Sequence, residues 1–183
     1  STAVLAVFLG ANALMDGPFS LSDILTMAAN EEGHPDNVAP ALFGSLVLGV
    51  MAGDGVHIER LPVAPQQVAI VTPDFQLLTK DARAALPSQI SRQDAIFNAS
   101  RLPLLIRALE TADYAKLSLA MQDRLHEPYR LPLIPGMAGA FEAAYAAGAA
   151  GVALSGAGPS RIAFALEDHA RIVAAVTAVF QQH

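Results

Sequence analysis

Residues 152–166, VALSGAGPSRIAFAL, hold two short apolar segments on either side of a glycine-rich turn. From Ile162 to Leu166 every second residue is apolar and large, which is the period of a β-strand. A helix is predicted to follow, with Asp168 as its cap, and another is predicted to precede the stretch, over residues 137–147. Short strands between longer helices are typical of a two-layer α/β sandwich, so the predicted fold class is α+β.

The first part of the chain predicts two helices. Residues 1–14, STAVLAVFLGANAL, are rich in alanine and leucine and too short to span a bilayer. A core helix is therefore preferred over a signal peptide, which would also need a basic leading segment. A second helix is predicted over residues 21–32. Ser20 is its expected N-cap, because Asp23 follows at the spacing of a capping box.

A domain boundary is predicted where the composition changes. Residues 53–55, Gly-Asp-Gly, are typical of a hairpin turn between two strands. Pro62 and Pro65 then mark a connecting segment. The predicted domains are residues 1–56 and residues 57–183.

Two further predictions concern the second domain. In residues 92–110 a helical period places one set of apolar side chains on a single face. That set is Ile96, Ala99, Leu102, Ile106 and Leu109. Residues 124–136, RLHEPYRLPLIPG, include three prolines and are predicted to be mostly loop.

The composition excludes several classes of protein. The chain is 53% hydrophobic and 15% charged, which is unlike a disordered protein. Its 11 Lys and Arg are scattered and its net charge is −6, so we expect no nucleic-acid partner. It contains no cysteine, which excludes disulfides and a cysteine nucleophile and fits a reducing cytoplasm. We also expect no membrane association.

The first candidate site is the segment EEGHPDN, residues 31–37. Glu31 and Glu32 end the predicted helix, and carboxylates in such a place can hold Mg²⁺, which prefers oxygen ligands. His34 and Asn37 in the following loop can bind a small polar substrate. The alternative is a solvated helix end, because the same residue types are common in turns.

The second candidate site is the segment LSGAGPS, residues 154–160. Gly156 and Gly158 allow the backbone to approach a ligand, and successive N–H groups can form an anion-binding concavity. The alternative is an ordinary turn between two strands.

The third candidate site is the segment RLHEPYR, residues 124–130. Arg124 and Arg130 could bind a carboxylate together, since a guanidinium group forms a bidentate fork. The alternative is surface charge near the C-terminal end of a helix.

Three strings together resemble the homoserine kinase family of the GHMP kinase class. They are EGHPDNVAPALFGSLVLG at residues 32–49, DRLHEPYRLPLIPG at residues 123–136 and LSGAGPS at residues 154–160. The resemblance covers nearly the whole chain. It implies a GHMP-type sandwich, with residues 1–56 as the remainder of an ATP-binding domain and residues 57–183 as a ferredoxin-like C-terminal domain.

The sequence departs from this family at its start. The family has an ATP-binding loop of the form Pro-x-x-x-Gly-Leu-Gly-Ser-Ser-Ala that opens a helix, and Ser1-Thr2-Ala3 is similar to its tail. The glycines that would hold the phosphates are not in the 183 residues. We therefore expect the chain alone to be an inactive fragment.

The resemblance implies phosphoryl transfer from ATP, with Mg²⁺, to the side-chain hydroxyl of L-homoserine for threonine biosynthesis. It assigns Mg²⁺ to Glu32, with Glu31 as the alternative, and ATP to Ser1 and Thr2. The residues that it assigns to substrate binding are His34, Asp36, Asn37, Arg124, Arg130, Gly156 and Gly158. Those that it assigns to catalysis are Glu32, Asn37 and Arg130.

Two alternative functions remain, one with a different substrate and one from a different class of protein. One is another GHMP kinase, acting on mevalonate, galactose or a similar alcohol. The other is a non-catalytic binding or assembly domain, which the missing glycine loop favours. As partners we expect a small-molecule substrate and either a second copy of the chain or the N-terminal part that the resemblance implies.

Overall fold

The structure is a computed structural model and describes residues 1–182. The helices are α1 (Thr2–Leu14), α2 (Leu21–Glu32), α3 (Val38–Phe43), α4 (Thr79–Ala84), α5 (Arg92–Thr111), α6 (Tyr114–Ala120), α7 (Glu127–Arg130), α8 (Met137–Ala146) and α9 (His169–Phe180). The strands are β1 (Leu46–Ala52), β2 (Gly55–Leu61), β3 (Val68–Val71), β4 (Gly151–Leu154) and β5 (Arg161–Phe164). A 3-10 turn, Leu131–Leu133, follows α7.

The first compact unit ends at Val63 and contains α1 to α3 with the β1–β2 hairpin. The predicted capping box begins α2: the Ser20 Oγ accepts from the Asp23 amide at 3.2 Å, and the Ser20 amide donates to the Asp23 carboxylate at 2.9 Å. Gly33 ends the helix with φ +82, a conformation that glycine adopts without strain. The predicted capping box is confirmed.

The core of this first unit lies between the helices and the hairpin. Strands β1 and β2 pair antiparallel, from Leu46 opposite Leu61 to Ala52 opposite Gly55. The buried apolar side chains of the cluster are Leu5, Ile24, Leu25, Ala28, Ala29, Val38, Ala39 and Val56. Helix α1 gives only Leu5 to this set, and Val7 and Leu14 on the same helix are 69% and 90% exposed.

The second compact unit begins at Ala64. The sequence placed the boundary between residues 56 and 57, which is inside β2. That strand pairs along its whole length with β1, so it belongs to the first unit.

The second unit contains an antiparallel sheet of order β3-β5-β4. Helices α8 and α9 pack together and cover it, and their apolar faces form one core with the strands. The buried residues of this core are Ala69, Val71, Ala140, Ala144, Ala147, Ala149, Val152, Ala163, Ala165, Ile172 and Val176. The many alanines let the helices approach the sheet closely. This confirms the predicted two-layer α+β arrangement.

The apolar face of α5 is only partly the face that packs. Ile96 and Leu102 are 57% and 53% exposed, and Ala108 is the buried residue of the helix. The packed side instead carries polar groups, among them Asn98 and Arg101, which bond to the segment that follows α6. The apolar period indicated the helix correctly but did not show which of its faces packs.

The prediction of loop over residues 124–136 is wrong in part, because α7 and the 3-10 turn lie within it. Pro128 occupies one of the first two positions of α7, where a helix does not need the N–H that proline lacks.

Among the helices of residues 1–182, none is both long enough and apolar enough to cross a bilayer.

Candidate active site

The first unit brings Ser1 and Glu32 together. The Ser1 hydroxyl donates to one carboxylate oxygen of Glu32 at 3.0 Å. Glu32 ends α2 and meets the start of α1, where unpaired N–H groups favour a negative charge. Glu31 and Thr2 are exposed neighbours of this pair.

The loop between α2 and α3 carries the polar residues that the sequence singled out. His34 Nδ1 hydrogen-bonds the Asp36 carboxylate, and the side-chain Nδ2 of Asn37 donates to the same oxygen at 3.4 Å. A carboxylate only accepts, so Nδ1 carries the proton. Pro35, in the same loop, is buried. It packs so closely against Gly49 of β1 that a Cβ added at Gly49 would lie 3.1 Å from the proline ring. The structure therefore places His34, Asp36 and Asn37 in one hydrogen-bonded group on an anchored turn.

The oxygens of Ser1 and Glu32 suit a hard cation. Within residues 1–182 there is no cluster of three or more His, Cys, Asp or Glu side chains that could hold a metal. Mg²⁺ needs fewer, since it keeps several waters and usually takes one or two carboxylates together with phosphate oxygens. A carboxylate and a hydroxyl at hydrogen-bond distance fit such an ion.

In the second unit Arg130 contacts the glycine-rich loop, residues 155–160. Its Nη1 donates to the Gly156 carbonyl at 3.2 Å. Gly156 and Gly158 have φ of +63 and +89, in the region that favours glycine. A Cβ at Gly158 would also lie 3.1 Å from Ile134. The structure thus joins three of the residues that the resemblance implies.

Arg124 lies in a different environment. Its guanidinium group stacks 3.8 Å from the Phe97 ring centroid and lies 3.5 Å from the Asp94 carboxylate. Arg101 stacks on the same ring at 3.2 Å. Arg124 is thus directed to α5, and Arg130 to the glycine-rich loop. Among residues 1–182 no hydrogen bond, ion pair or ring contact links both arginines that were predicted to bind one carboxylate to a common partner.

Asp123 organises this segment, although the sequence did not single it out. One of its carboxylate oxygens accepts from the amides of His126 and Glu127, at 2.7 and 2.5 Å, and the other from the amide of Leu125 at 3.1 Å. Asn98 on α5 donates to it at 2.5 Å. Burial raises the pKa of Asp123, but these hydrogen bonds outweigh burial and the net shift is downward. The ionised form therefore holds α7 against α5.

Replacing Asp123 with asparagine should lower the free energy of unfolding by about 2–3 kcal/mol at pH 7, because an amide accepts fewer and weaker hydrogen bonds than a carboxylate. The folded-state pKa of Asp123 lies below its usual 3.8, so this contribution is complete above that pH and is lost as pH falls through the folded-state value. Urea unfolding followed by circular dichroism at pH 7, 5 and 3 measures it. The difference from wild type should shrink at pH 3.

Asp81→Asn is the matched control, since Asp81 is exposed on α4 and its replacement should change stability by less than about 0.5 kcal/mol. A deficit of Asp123→Asn that stays constant down to pH 3 would contradict the role of the ionised carboxylate.

Two further charged residues of the second unit were also missed, Glu127, which is partly buried, and Arg161, which is buried. The Glu127 carboxylate accepts from the Leu154 amide at 2.9 Å, and its burial raises its pKa. Arg161 is 0% exposed, and burial lowers its pKa to about 10. Leu154 and Arg161 face each other across β4 and β5, at the base of the glycine-rich loop. A sequence pattern does not show which charged residues are buried, so no signal identified them.

Comparisons with known proteins find similar sequences along nearly the whole chain. The family described as GHMP kinases C terminal matches residues 105–182. The homoserine kinase of Moorella thermoacetica is 42% identical over 98% of this chain and 61% of that protein. That of Microchaete diplosiphon is 44% identical over 96% of this chain and 57% of that protein. Residues 105–182 belong to the GHMP kinase C-terminal family.

Solved GHMP kinase structures share the fold. The homoserine kinase of Cytophaga hutchinsonii has a TM-score of 0.84 at 34% identity, covering 97% of this chain and 59% of that one. The mevalonate kinase of L. major, in complex with R-mevalonate, has a TM-score of 0.71 at 16% identity, covering 96% and 60%. At that identity the second likeness shows the fold alone. The chain spans 57% to 61% of the length of the two curated relatives.

Proposed function

We propose that the complete gene product containing this chain transfers the γ-phosphoryl group of ATP to the side-chain hydroxyl of L-homoserine. The observation that carries the proposal is the 42–44% identity to homoserine kinases over 96–98% of the chain. The polar groups of both units supply chemistry that such a reaction needs. Phosphoryl transfer depends mainly on positioning and on neutralising charge.

In the second unit Arg130 is the proposed ligand of the homoserine carboxylate. A guanidinium group has five N–H donors, and within the described residues one of them is paired, with the Gly156 carbonyl. Its Nε is buried without a partner there. Donors therefore remain for a bidentate contact with a carboxylate. The neighbouring Gly156 and Gly158 are proposed to let the loop close on the substrate, while Arg124 takes a lesser part because Phe97 and Asp94 already hold it.

In the first unit Glu32 and Ser1 are proposed to hold Mg²⁺, with Thr2 beside them for the nucleotide. When bound, the ion would neutralise charge on the β- and γ-phosphates. His34 and Asn37 are proposed to bind polar groups of homoserine, with Asp36 orienting both side chains through the hydrogen bonds described above. No general base is assigned, since a loose transition state needs little early deprotonation of the alcohol.

A substrate panel tests the proposal. The complete gene product is assayed for ADP release from MgATP with homoserine, mevalonate, galactose or serine, and the 183-residue chain alone is run beside it. A clear preference for homoserine is expected, with no turnover by the chain alone. Preference for another alcohol would overturn the substrate, and no turnover with any of them would favour a non-catalytic binding domain.

Neighbouring glutamates give a sharper test of the Mg²⁺ site. Glu32→Gln should raise the Mg²⁺ concentration for half-maximal rate at least about tenfold, because an amide is a weaker ligand than a carboxylate. Glu31→Gln is the matched control and should leave that concentration unchanged, since Glu31 is exposed and Glu32 lies against Ser1. Mg²⁺ titrations at saturating ATP measure both. The reverse result would assign the ion to Glu31.

A location in the cytoplasm and association with a second copy or another segment stay predictions. Light scattering of the purified protein tests the association.

A further inference from the structure

Helix α7 holds the glycine-rich loop at two points. Glu127 accepts from the Leu154 amide, immediately before the loop, and Arg130 donates to the Gly156 carbonyl within it. The two side chains are three residues apart, so they lie on the same face of the helix. One helical turn therefore contacts both the base and the body of the loop.

The loop needs such a contact because its own backbone is permissive. Gly156 and Gly158 both adopt positive φ, and glycine reaches many other conformations at little cost. Its internal hydrogen bonds, from the Ser155 amide to the Ser160 carbonyl and from the Gly158 amide to the Ser155 carbonyl, fix its shape. They do not by themselves fix its distance from Arg130, to which the contacts with α7 and the 2.9 Å hydrogen bond between the Thr72 and Ser160 hydroxyls contribute.

Glu127 is well placed to set that distance. Asp123 anchors the start of α7 through the Glu127 amide, so the backbone beneath the side chain is held. The carboxylate is partly buried, and the 2.9 Å bond to the Leu154 amide fixes one of its oxygens. Arg161, opposite Leu154 in the sheet, acts on it electrostatically in the direction that favours the ionised form.

We propose that Glu127 is a positioning residue, which holds the glycine-rich loop (residues 155–160) in register with Arg130 so that both can bind one substrate. This inference rests on the proposed function, in which Arg130 and the loop contact homoserine. Without the Glu127 acceptor the loop moves relative to Arg130, and binding of homoserine must restore the arrangement. The loss therefore appears in KM for homoserine more than in KM for ATP.

Two variants of the complete gene product test whether Glu127 acts through its hydrogen bond to the Leu154 amide or through the size and charge of its side chain. Glu127→Gln removes the charge but keeps an acceptor oxygen for the Leu154 amide. Glu127→Leu has a side chain of similar size with no acceptor. We expect Glu127→Leu to raise KM for homoserine about tenfold, the factor that corresponds to about 1.4 kcal/mol. Glu127→Gln should stay within about threefold of wild type, because the hydrogen bond is kept. Glu142→Leu, at an exposed position of α8, is the control for a new leucine.

Hydrogen exchange gives a readout that does not depend on turnover. The amide of Leu154 should exchange faster in Glu127→Leu than in wild type, and at the wild-type rate in Glu127→Gln, while the Gly158 amide, bonded within the loop, and the amides of α9 are unchanged. Equal KM values in wild type and Glu127→Leu, equal impairment of both variants, or unchanged exchange at Leu154 would each overturn the proposal. If wild type does not phosphorylate homoserine, the proposed function fails, and the exchange rates alone then decide whether Glu127 holds the loop.

Discussion

Replacing Arg130 with alanine should lower kcat/KM for homoserine about 100-fold in the complete gene product, a loss of about 2.7 kcal/mol in transition-state stabilisation. Its guanidinium group is fixed beside the glycine-rich loop by the Gly156 carbonyl. Arg130→Lys should recover only part of the rate, because an ammonium group cannot form the bidentate contact. Steady-state assays of ADP release over a range of homoserine concentrations measure both variants.

A substrate without the carboxylate identifies what Arg130 binds. The alcohol 3-aminopropan-1-ol keeps the hydroxyl and the amine of homoserine but has no carboxylate. It should be a poor substrate of wild type, and Arg130→Ala should lower its kcat/KM little further, since the contact is already absent. Arg92→Ala, at an exposed position on α5, is the control for loss of a positive charge. An equal loss with both alcohols would mean that Arg130 acts by holding Gly156 and not by binding the carboxylate.

The elements of the fold that depend on local chemistry were predictable from the sequence. The capping box of Ser20 and Asp23 fixes the start of α2 through contacts between residues three positions apart. Gly33 permits the positive φ at which that helix ends. Both features need nothing distant in the chain, and the sequence pattern therefore indicated them correctly.

The orientation of α5 was not predictable in this way. Its packed face is chosen by long-range polar contacts, from Asn98 to Asp123 and from Arg101 to Gln122. These bonds satisfy groups whose burial without partners would be costly, and Ile96 and Leu102 are left exposed as a result. The spacing of apolar residues along the sequence carries no information on these polar contacts.

The candidate site shows the same division. Individual residues in the segments 31–37 and 124–130 could be nominated from their chemistry and from the family resemblance. Their partners could not, because the contact of Ser1 with Glu32 and that of Arg130 with Gly156 join residues far apart in the chain. The different environments of Arg124 and Arg130, six positions apart, likewise follow from tertiary packing alone.

Replacing Arg161 with alanine should lower the free energy of unfolding by about 3 kcal/mol, because it empties a large volume in a packed interior. The side chain is 0% exposed and lies 4.5 Å from the Phe141 ring centroid. Its Nη2 donates to the Met137 carbonyl at 3.1 Å, while Nε and Nη1 have no partner among the described residues. Urea unfolding followed by circular dichroism measures the change.

Arg161→Met distinguishes the volume of this side chain from its charge. Methionine fills much of the same space and leaves no unpaired buried nitrogen, so its free energy of unfolding should lie within about 1 kcal/mol of wild type. Since Arg161 lowers the pKa of Glu127, this variant should also raise that pKa further, which carboxyl NMR can follow. A loss of stability as large as that of Arg161→Ala would mean that the position requires the charge itself, through Phe141 or Glu127. If Arg161→Met instead keeps wild-type stability but raises KM for homoserine, the buried charge serves the glycine-rich loop. It would do so through the Glu127 carboxylate, which accepts from the Leu154 amide.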